Sequence, residues 1–206
     1  MPDLKKARIA VLVSGGGTNL QALLDAEKRG EIPHGEIVLV ISSNPTAYAL
    51  ERAKAAGVPA LAFSKKKLGG QEAFEKALLT ALSEAKADLI ILAGFLSILS
   101  GDFTARYEKR ILNVHPSLIP SFSGEGFYGL RVHEAALARG VKVTGATVHF
   151  VNEIPDGGEI LLQKAVAVEE GDTPEILQKR VMREAEWKLL PEAAEMVSKK
   201  IVSKEN

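Results

Sequence analysis

Apolar and polar positions in this chain alternate between two periods. Residues 8–13 (RIAVLV) are a short β-branched run that ends at Ser14-Gly15-Gly16-Gly17-Thr18-Asn19. A helical pattern follows, with Leu20, Leu23 and Leu24 on one face. Residues 36–41 predict a second strand, 48–56 a helix stopped at Gly57, and 60–63 a brief third strand. Over 71–86, Phe74, Leu78 and Leu82 recur at helical spacing, and 88–93 (DLIILA) and 111–115 (ILNVH) predict two more strands. Strands alternating with helices predict βαβ units in a mostly parallel sheet, and the near-continuous apolar runs fit burial on both faces.

Beyond residue 115 the pattern changes. Residues 116–128 are rich in Pro, Gly, Ser and aromatics and predict a long irregular loop, a kind that is usually functional or disordered. A helix over about 130–139 follows, then strands over 143–150 and 159–168 joined by 151–158. Thr173-Pro174 supplies an N-cap and a first-turn proline for a terminal helix. Pro191 is expected to break or kink that helix, and the last residues to fray.

Composition narrows the chemistry. The 206 residues fit one domain, with about two thirds of the unfolded surface buried on folding. Lys+Arg and Asp+Glu balance at 26 each, which argues against a strongly basic nucleic-acid surface. There is no cysteine, so thiol catalysis, thiolate metal sites and disulfides are excluded. No apolar stretch reaches the roughly 18 residues of a membrane span, and residues 1–6 lack a signal-peptide core. The expected setting is cytoplasmic.

The segment 14–19 joins a strand to a helix, where backbone N–H groups and the helix dipole can hold a phosphate. Gly15 and Gly17 match the first two glycines of a dinucleotide fingerprint, but Leu20 occupies the third position. No Gly-Lys-Ser/Thr follows, so a Walker loop fails too. A compact phosphomonoester is one reading; a tight turn capped by Thr18 or Asn19 is the other.

In ILNVH the period of two puts Asn113 and His115 on one face, with Leu112 and Val114 on the other. Both polar side chains emerge at the carboxyl end of a parallel strand, where open α/β sheets bind ligands. His115 could transfer a proton near neutral pH, and Asn113 could hydrogen-bond a developing oxyanion. A histidine simply hydrogen-bonded at a strand end is the plainer reading. In 143–150, Thr147 and His149 likewise share a face. Asp156 lies beyond in Ile154-Pro155-Asp156-Gly157-Gly158, and an Asp-Gly pair alone is more often a turn. A carboxylate near His115 would raise its pKa, but spacing alone does not bring Asp156 there.

Several segments together resemble the glycinamide ribonucleotide formyltransferase family: VLVSGGGTNLQAL, SNPTAYALERAKAAGVP, LAGFLSILS, LNVHPSLIPSF, GATVHFVNEIPDGGEILLQ and EWKLLPEA. The resemblance implies an α/β formyltransferase fold: a Rossmann-like, mostly parallel sheet flanked by helices, with a C-terminal antiparallel extension. It implies one domain over 1–206, with a phosphate-binding half over about 8–110 and a catalytic, folate-binding half over about 111–200. The implied reaction moves the formyl group of 10-formyltetrahydrofolate to the amine of glycinamide ribonucleotide in purine biosynthesis.

In that resemblance Asn113 is the carbonyl-polarising asparagine, His115 the proton-transfer histidine and Asp156 the aspartate that raises its pKa. Gly17, Thr18 and Asn19 match the segment that binds the substrate phosphate. The backbone of Leu96, Ser97, Ile98 and Leu99 matches the lining of the folate pocket, which Asn113 also touches. Gln71 stands where the family often has a basic residue that meets folate, and Ser97 where it often has arginine. Glu186 matches a glutamate that meets the ribonucleotide. From the residues themselves, Glu186 lies on the stripe of Met182, Leu189 and Ala193, so its carboxylate needs a buried partner or a salt bridge at the stripe edge. Trp187 replaces a common histidine. The implied partners are small molecules, with no metal, nucleic acid or membrane, and a homodimer is the candidate assembly. The alternative within the resemblance is a formyltetrahydrofolate hydrolase, with methionyl-tRNA formyltransferase a further relative. A non-catalytic nucleotide-binding module is the rival from another class.

Overall fold

A computed structural model describes residues 5–204 of the chain. Strands β1 (Ala7–Val13), β2 (Gly35–Ser42), β3 (Ala60–Ala62), β4 (Leu89–Leu92) and β5 (Ile111–His115) alternate with helices, whereas β6 (Val143–Phe150) and β7 (Ile160–Ala167) follow without one between them. All seven join one sheet in the order β3-β2-β1-β4-β5-β6-β7. The first five pair with one another in parallel; β6 runs antiparallel to β5, and β7 to β6. This is the expected mixed sheet, parallel first and antiparallel at its C-terminal side.

Both faces are covered because the inner strands are apolar on both. From β1, Ile9, Val11 and Val13 enter one core with Leu20, Leu23 and Leu24 of α1 (Thr18–Lys28), Ala49 and Ala53 of α2 (Ala49–Ala55) and the C-terminal helices. Ala10 and Leu12 enter the other. There they meet Phe74, Leu78 and Leu82 of α4 (Gln71–Glu84) and Phe103 of α5 (Gly101–Arg106). Short helices α3 (Lys65–Leu68) and α5 lie where the apolar pattern predicts nothing. Each begins at a serine, Ser64 or Ser100, whose side chain caps the first turn. Helix α6 (Leu130–Arg139) matches its expected span. The segment between His115 and α6 is irregular, as expected.

The C-terminal helix begins as expected. Thr173 accepts from the Ile176 N–H at 3.3 Å, and Pro174 opens α7 (Pro174–Val181). The expected break at Pro191 does not occur. The proline lies inside an unbroken α8 (Trp187–Lys204). A π turn (Met182–Glu186) comes just before, with the Trp187 N–H reaching back to Met182. The helix holds to Lys204; the expected fraying falls on 205–206, outside the described residues.

Helix α8 closes the first core through Leu190, which is fully buried. Leu190→Ala is expected to cost about 2–5 kcal/mol in urea unfolding. Ile176→Ala, at an exposed position of α7, is expected to stay within about 0.5 kcal/mol. Equal losses at the two sites would show that α8 does not seal the core.

Candidate active site

Strands β1, β4 and β5 are parallel neighbours, so Val13, Leu92 and His115 end at the same sheet edge. From β1 the chain moves outward to β2 and β3, then returns to β4 on the other side. That reversal opens a crevice at the carboxyl ends of β1 and β4. Its walls are tied together. Ser14 Oγ lies 2.6 Å from Ser43 Oγ and accepts from the Leu96 N–H at 2.9 Å. Gly17 has a φ of 72°, and a Cβ there would stand 2.7 Å from Ala49 Cβ. Arg52 Nε donates to Gly16 O at 2.8 Å. The loop is thus a tight turn packed on α2, and Gly15 and Gly16 still face open space ahead of the first turn of α1. That first turn, with Thr18 and Asn19, presents backbone N–H groups that have no partner within the helix.

The second cluster comes from pairing β5 with β6. Asn113 stands opposite His149, and His115 opposite Thr147. Thr147 Oγ1 donates to Ser117 O at 2.7 Å and accepts from Ile119 N–H at 3.1 Å, which pins the start of the loop. After the cis Ile119–Pro120 bond the loop folds back over the strand end. His115 Nε2 lies 2.8 Å from Phe122 O, and the Gly124 N–H donates to Asp156 Oδ2 at 2.9 Å. Asp156 itself has a φ of 54°, a conformation that Asp tolerates better than most residues. Its turn closes tightly: a Cβ on Gly158 would lie 1.7 Å from Phe150 O.

Asp156 is thereby brought between two imidazoles. Its Oδ2 is 3.4 Å from His115 Nδ1, and its Oδ1 is 3.4 Å from His149 Nε2. Asn113 Nδ2 is 3.2 Å from His149 Nε2 and 3.5 Å from Asp156 Oδ1. Asn113, His115 and Asp156 therefore converge, and His149 joins them. The shared face of Thr147 and His149 is visible in the sequence. What the sequence lacks is the register that sets His149 against Asn113.

A carbonyl only accepts, so His115 Nε2 carries a hydrogen toward Phe122 O and Nδ1 is left to gain or lose a proton. Burial pushes the His115 pKa down, while Asp156 and the Phe122 carbonyl push it up. Asp156 raises the His115 pKa as its carboxylate should, but burial outweighs it, and the net shift is downward. For Asp156 the balance falls the other way. Burial raises its pKa, but His149, His115 and the Gly124 N–H together hold it below the usual carboxylate value.

Glu186 closes the far wall. The π turn before α8 directs it inward, and Asn19 Nδ2 donates to its Oε2 at 2.7 Å. The partner that its apolar stripe demands is thus an amide and not a cation. Burial pushes the Glu186 pKa up to about 7, with the Asn19 amide opposing. Asn19 Oδ1 is buried without a partner.

In the expected folate segment Leu96 and Ile98 are exposed at 66% and 70%, while Leu99 is buried in the core beneath. Ser97 is half-buried. Gln71 does not stand free: its Nε2 donates to Glu75 Oε1 at 2.5 Å and to Ile98 O at 3.0 Å. Glu75, which sequence reasoning missed, also accepts from the Ser100 N–H at 2.7 Å and Ser100 Oγ at 2.6 Å. Its signal was the one-turn spacing from Gln71. Among the described residues no group of three or more His, Asp or Glu is placed to hold a metal ion, and no helix is long and apolar enough to cross a membrane.

Residues 7–194 match the family described as Formyl transferase. The chain is 45% identical over 195 residues to the trifunctional purine biosynthetic protein adenosine-3 of Bos taurus, covering 94% of this chain and 18% of that protein. It is 42% identical to phosphoribosylglycinamide formyltransferase of Haemophilus influenzae, covering 89% of this chain and 84% of that one. The solved glycinamide ribonucleotide transformylase 1 of Symbiobacterium toebii superposes with a TM-score of 0.88 at 44% identity, over 95% of this chain and 89% of that chain.

The raised pKa of Glu186 has a measurable consequence. The folded state holds a proton that the unfolded state releases between pH 4.5 and about 7. Stability contributed by this group is full below that window and lost as pH rises through it. Relative to Glu186→Gln, the wild-type chain is therefore expected to lose stability between pH 5 and pH 8 in urea unfolding. A difference that is the same at both pH values would contradict the buried, proton-holding carboxyl.

Proposed function

We propose, because this chain belongs to the formyl transferase family, that it transfers the formyl group of 10-formyltetrahydrofolate to the amine of glycinamide ribonucleotide. Support comes from the solved and curated relatives that bear this activity in their names and that this chain covers along most of their length. The observation that carries the reading within the chain is the convergence of Asn113, His115 and Asp156 at the carboxyl end of β5. A non-catalytic binding module has no use for a buried histidine and carboxylate held 3.4 Å apart beside an amide.

In this reading the substrate phosphate sits on the backbone of Gly17, Thr18 and Asn19, where the start of α1 favours an anion. Glu186 meets the ribonucleotide; protonated near neutral pH, it offers a donor as well as an acceptor. The pterin of the folate lies along the backbone of Leu96, Ser97, Ile98 and Leu99, with Gln71 bracing that segment through Ile98 O. Asn113 touches both the folate and the formyl group.

The amine attacks the formyl carbon, and the carbonyl oxygen takes the negative charge in a tetrahedral adduct. An Asn113 N–H stabilises that oxygen. The proton lost by the amine passes by way of His115 Nδ1 to the folate nitrogen, and the bond from that nitrogen to the formyl carbon then breaks. Asp156, held as an anion, favours the imidazolium while the proton rests on His115. Alignment of the two reactants supplies much of the rate, on the order of 7–11 kcal/mol in favourable cases.

Purified protein given formylfolate alone is expected to be inert, and given glycinamide ribonucleotide as well to form the formylated product. Release of free formate without the amine would replace this reading with a hydrolase; no turnover in either arm would leave a binding module. Asp156→Asn is expected to lower kcat by about 100-fold or more while substrate Kd changes little. Wild-type turnover in that variant would remove Asp156 from the proton path.

A further inference from the structure

His149 is a buried histidine whose ring touches two of the three residues assigned to the reaction, and no step above uses it. Its Nδ1 lies 2.8 Å from its neighbour's carbonyl, Phe150 O. A carbonyl only accepts, so Nδ1 carries the hydrogen, and in the uncharged ring Nε2 is left with its lone pair. That lone pair faces Asn113 Nδ2 at 3.2 Å.

We propose that His149 is a positioning residue for formyl transfer: its Nε2 accepts from Asn113 and fixes which way the Asn113 carboxamide points. The proposal rests on the reaction proposed above. An asparagine amide has a donor end and an acceptor end of nearly equal shape, and only its partners decide between them. With one N–H held by His149, the nitrogen is committed to the Asp156 side. Its second N–H reaches Asp156 Oδ1 only at 3.5 Å, a contact loose enough to be exchanged for an oxyanion. Rotated by half a turn, Asn113 would present an oxygen to both the lone pair and the carboxylate, and could not stabilise negative charge.

Two features of the backbone serve this arrangement. The register between β6 and β7 shifts at Val148/His149, so an irregularity sits beside the histidine, a device that re-aims side chains near sites. Gly158 leaves the Phe150 carbonyl open; a Cβ there would occupy the space at that oxygen, 1.7 Å away. The acceptor that sets the His149 tautomer therefore survives only because residue 158 lacks a side chain.

The test compares His149→Phe with His149→Gln in steady-state transfer assays, alongside nitrogen NMR of the wild-type imidazoles. Phenylalanine fills the space and removes the acceptor; glutamine can return an oxygen near the Nε2 position. His149→Phe is expected to lower kcat by about 100-fold with KM little changed, as misorientation of a reacting group does. His149→Gln is expected to recover most of that loss. Above the histidine titration range, the His149 ring is expected to carry its hydrogen on Nδ1. A full-rate phenylalanine variant would overturn the proposal. So would a glutamine variant as slow as phenylalanine, a loss confined to KM, or a hydrogen found on Nε2. The NMR spectrum needs no turnover, so an inactive wild-type protein would count against the reaction alone, and the tautomer would still be decided by the ring nitrogens.

Discussion

The sheet changes direction at β5, which runs parallel to β4 on one side and antiparallel to β6 on the other. Hydrogen bonds across the second boundary fix the register, and a slip of one residue would send Asn113 and His115 to the opposite face. In the observed register Thr147 meets His115 and anchors the loop that returns over it, while His149 meets Asn113. The loop then delivers the Phe122 carbonyl and the Gly124 N–H to the two groups proposed to move the proton. Pairing of main chains thus decides the placement of donors and acceptors that are distant in sequence.

Burial at this boundary works against charge, and the groups answer it differently. His115 has one carboxylate at 3.4 Å and one carbonyl, and burial still lowers its pKa. A histidine that holds its proton only weakly is suited to passing one on, since it releases what it accepts. The aspartate tempers this effect, because an imidazolium with no anion nearby would be costlier still. Holding the pKa of Asp156 down takes several neighbours at once, the two imidazoles and the Gly124 N–H, and they come from three separate segments: β5, β6 and the loop.

Local pattern carried much of this architecture. The two periods located β1, β2, α4, β4, β5 and β6 to within about a residue or two, and alternation put Asn113 and His115 on one face. It missed α3 and α5 because four- and six-residue helices lack room for an amphipathic stripe. It also misjudged Pro191, which α8 carries in its interior without a break, a tolerance that side-chain periodicity does not encode. Asp156 needed the family resemblance, since its approach depends on a left-handed turn and on Gly158. His149 was legible as a face and illegible as a neighbour, for want of the β5–β6 register. The partner demanded by Glu186 was foreseeable from burial; that it would be Asn19, at the opposite end of the chain, was not.

Asp156 and Glu186 show how one functional group is put to two uses in the same crevice. Both are taken out of water, and in both desolvation is the largest influence on the pKa. Asp156 is surrounded by an N–H and two imidazoles, which together outweigh that influence. Glu186 has a single amide, which does not, and its pKa rises to about 7. The first arrangement keeps an anion beside the histidine proposed to carry a proton transiently. The second keeps a carboxyl near its midpoint at neutral pH beside an unpartnered amide oxygen, Asn19 Oδ1. Such a pair is incompletely satisfied, since a buried acceptor is left without a donor. Deeper burial and fewer favourable neighbours at Glu186 separate the carboxyl that holds its proton from Asp156, which its neighbours keep charged.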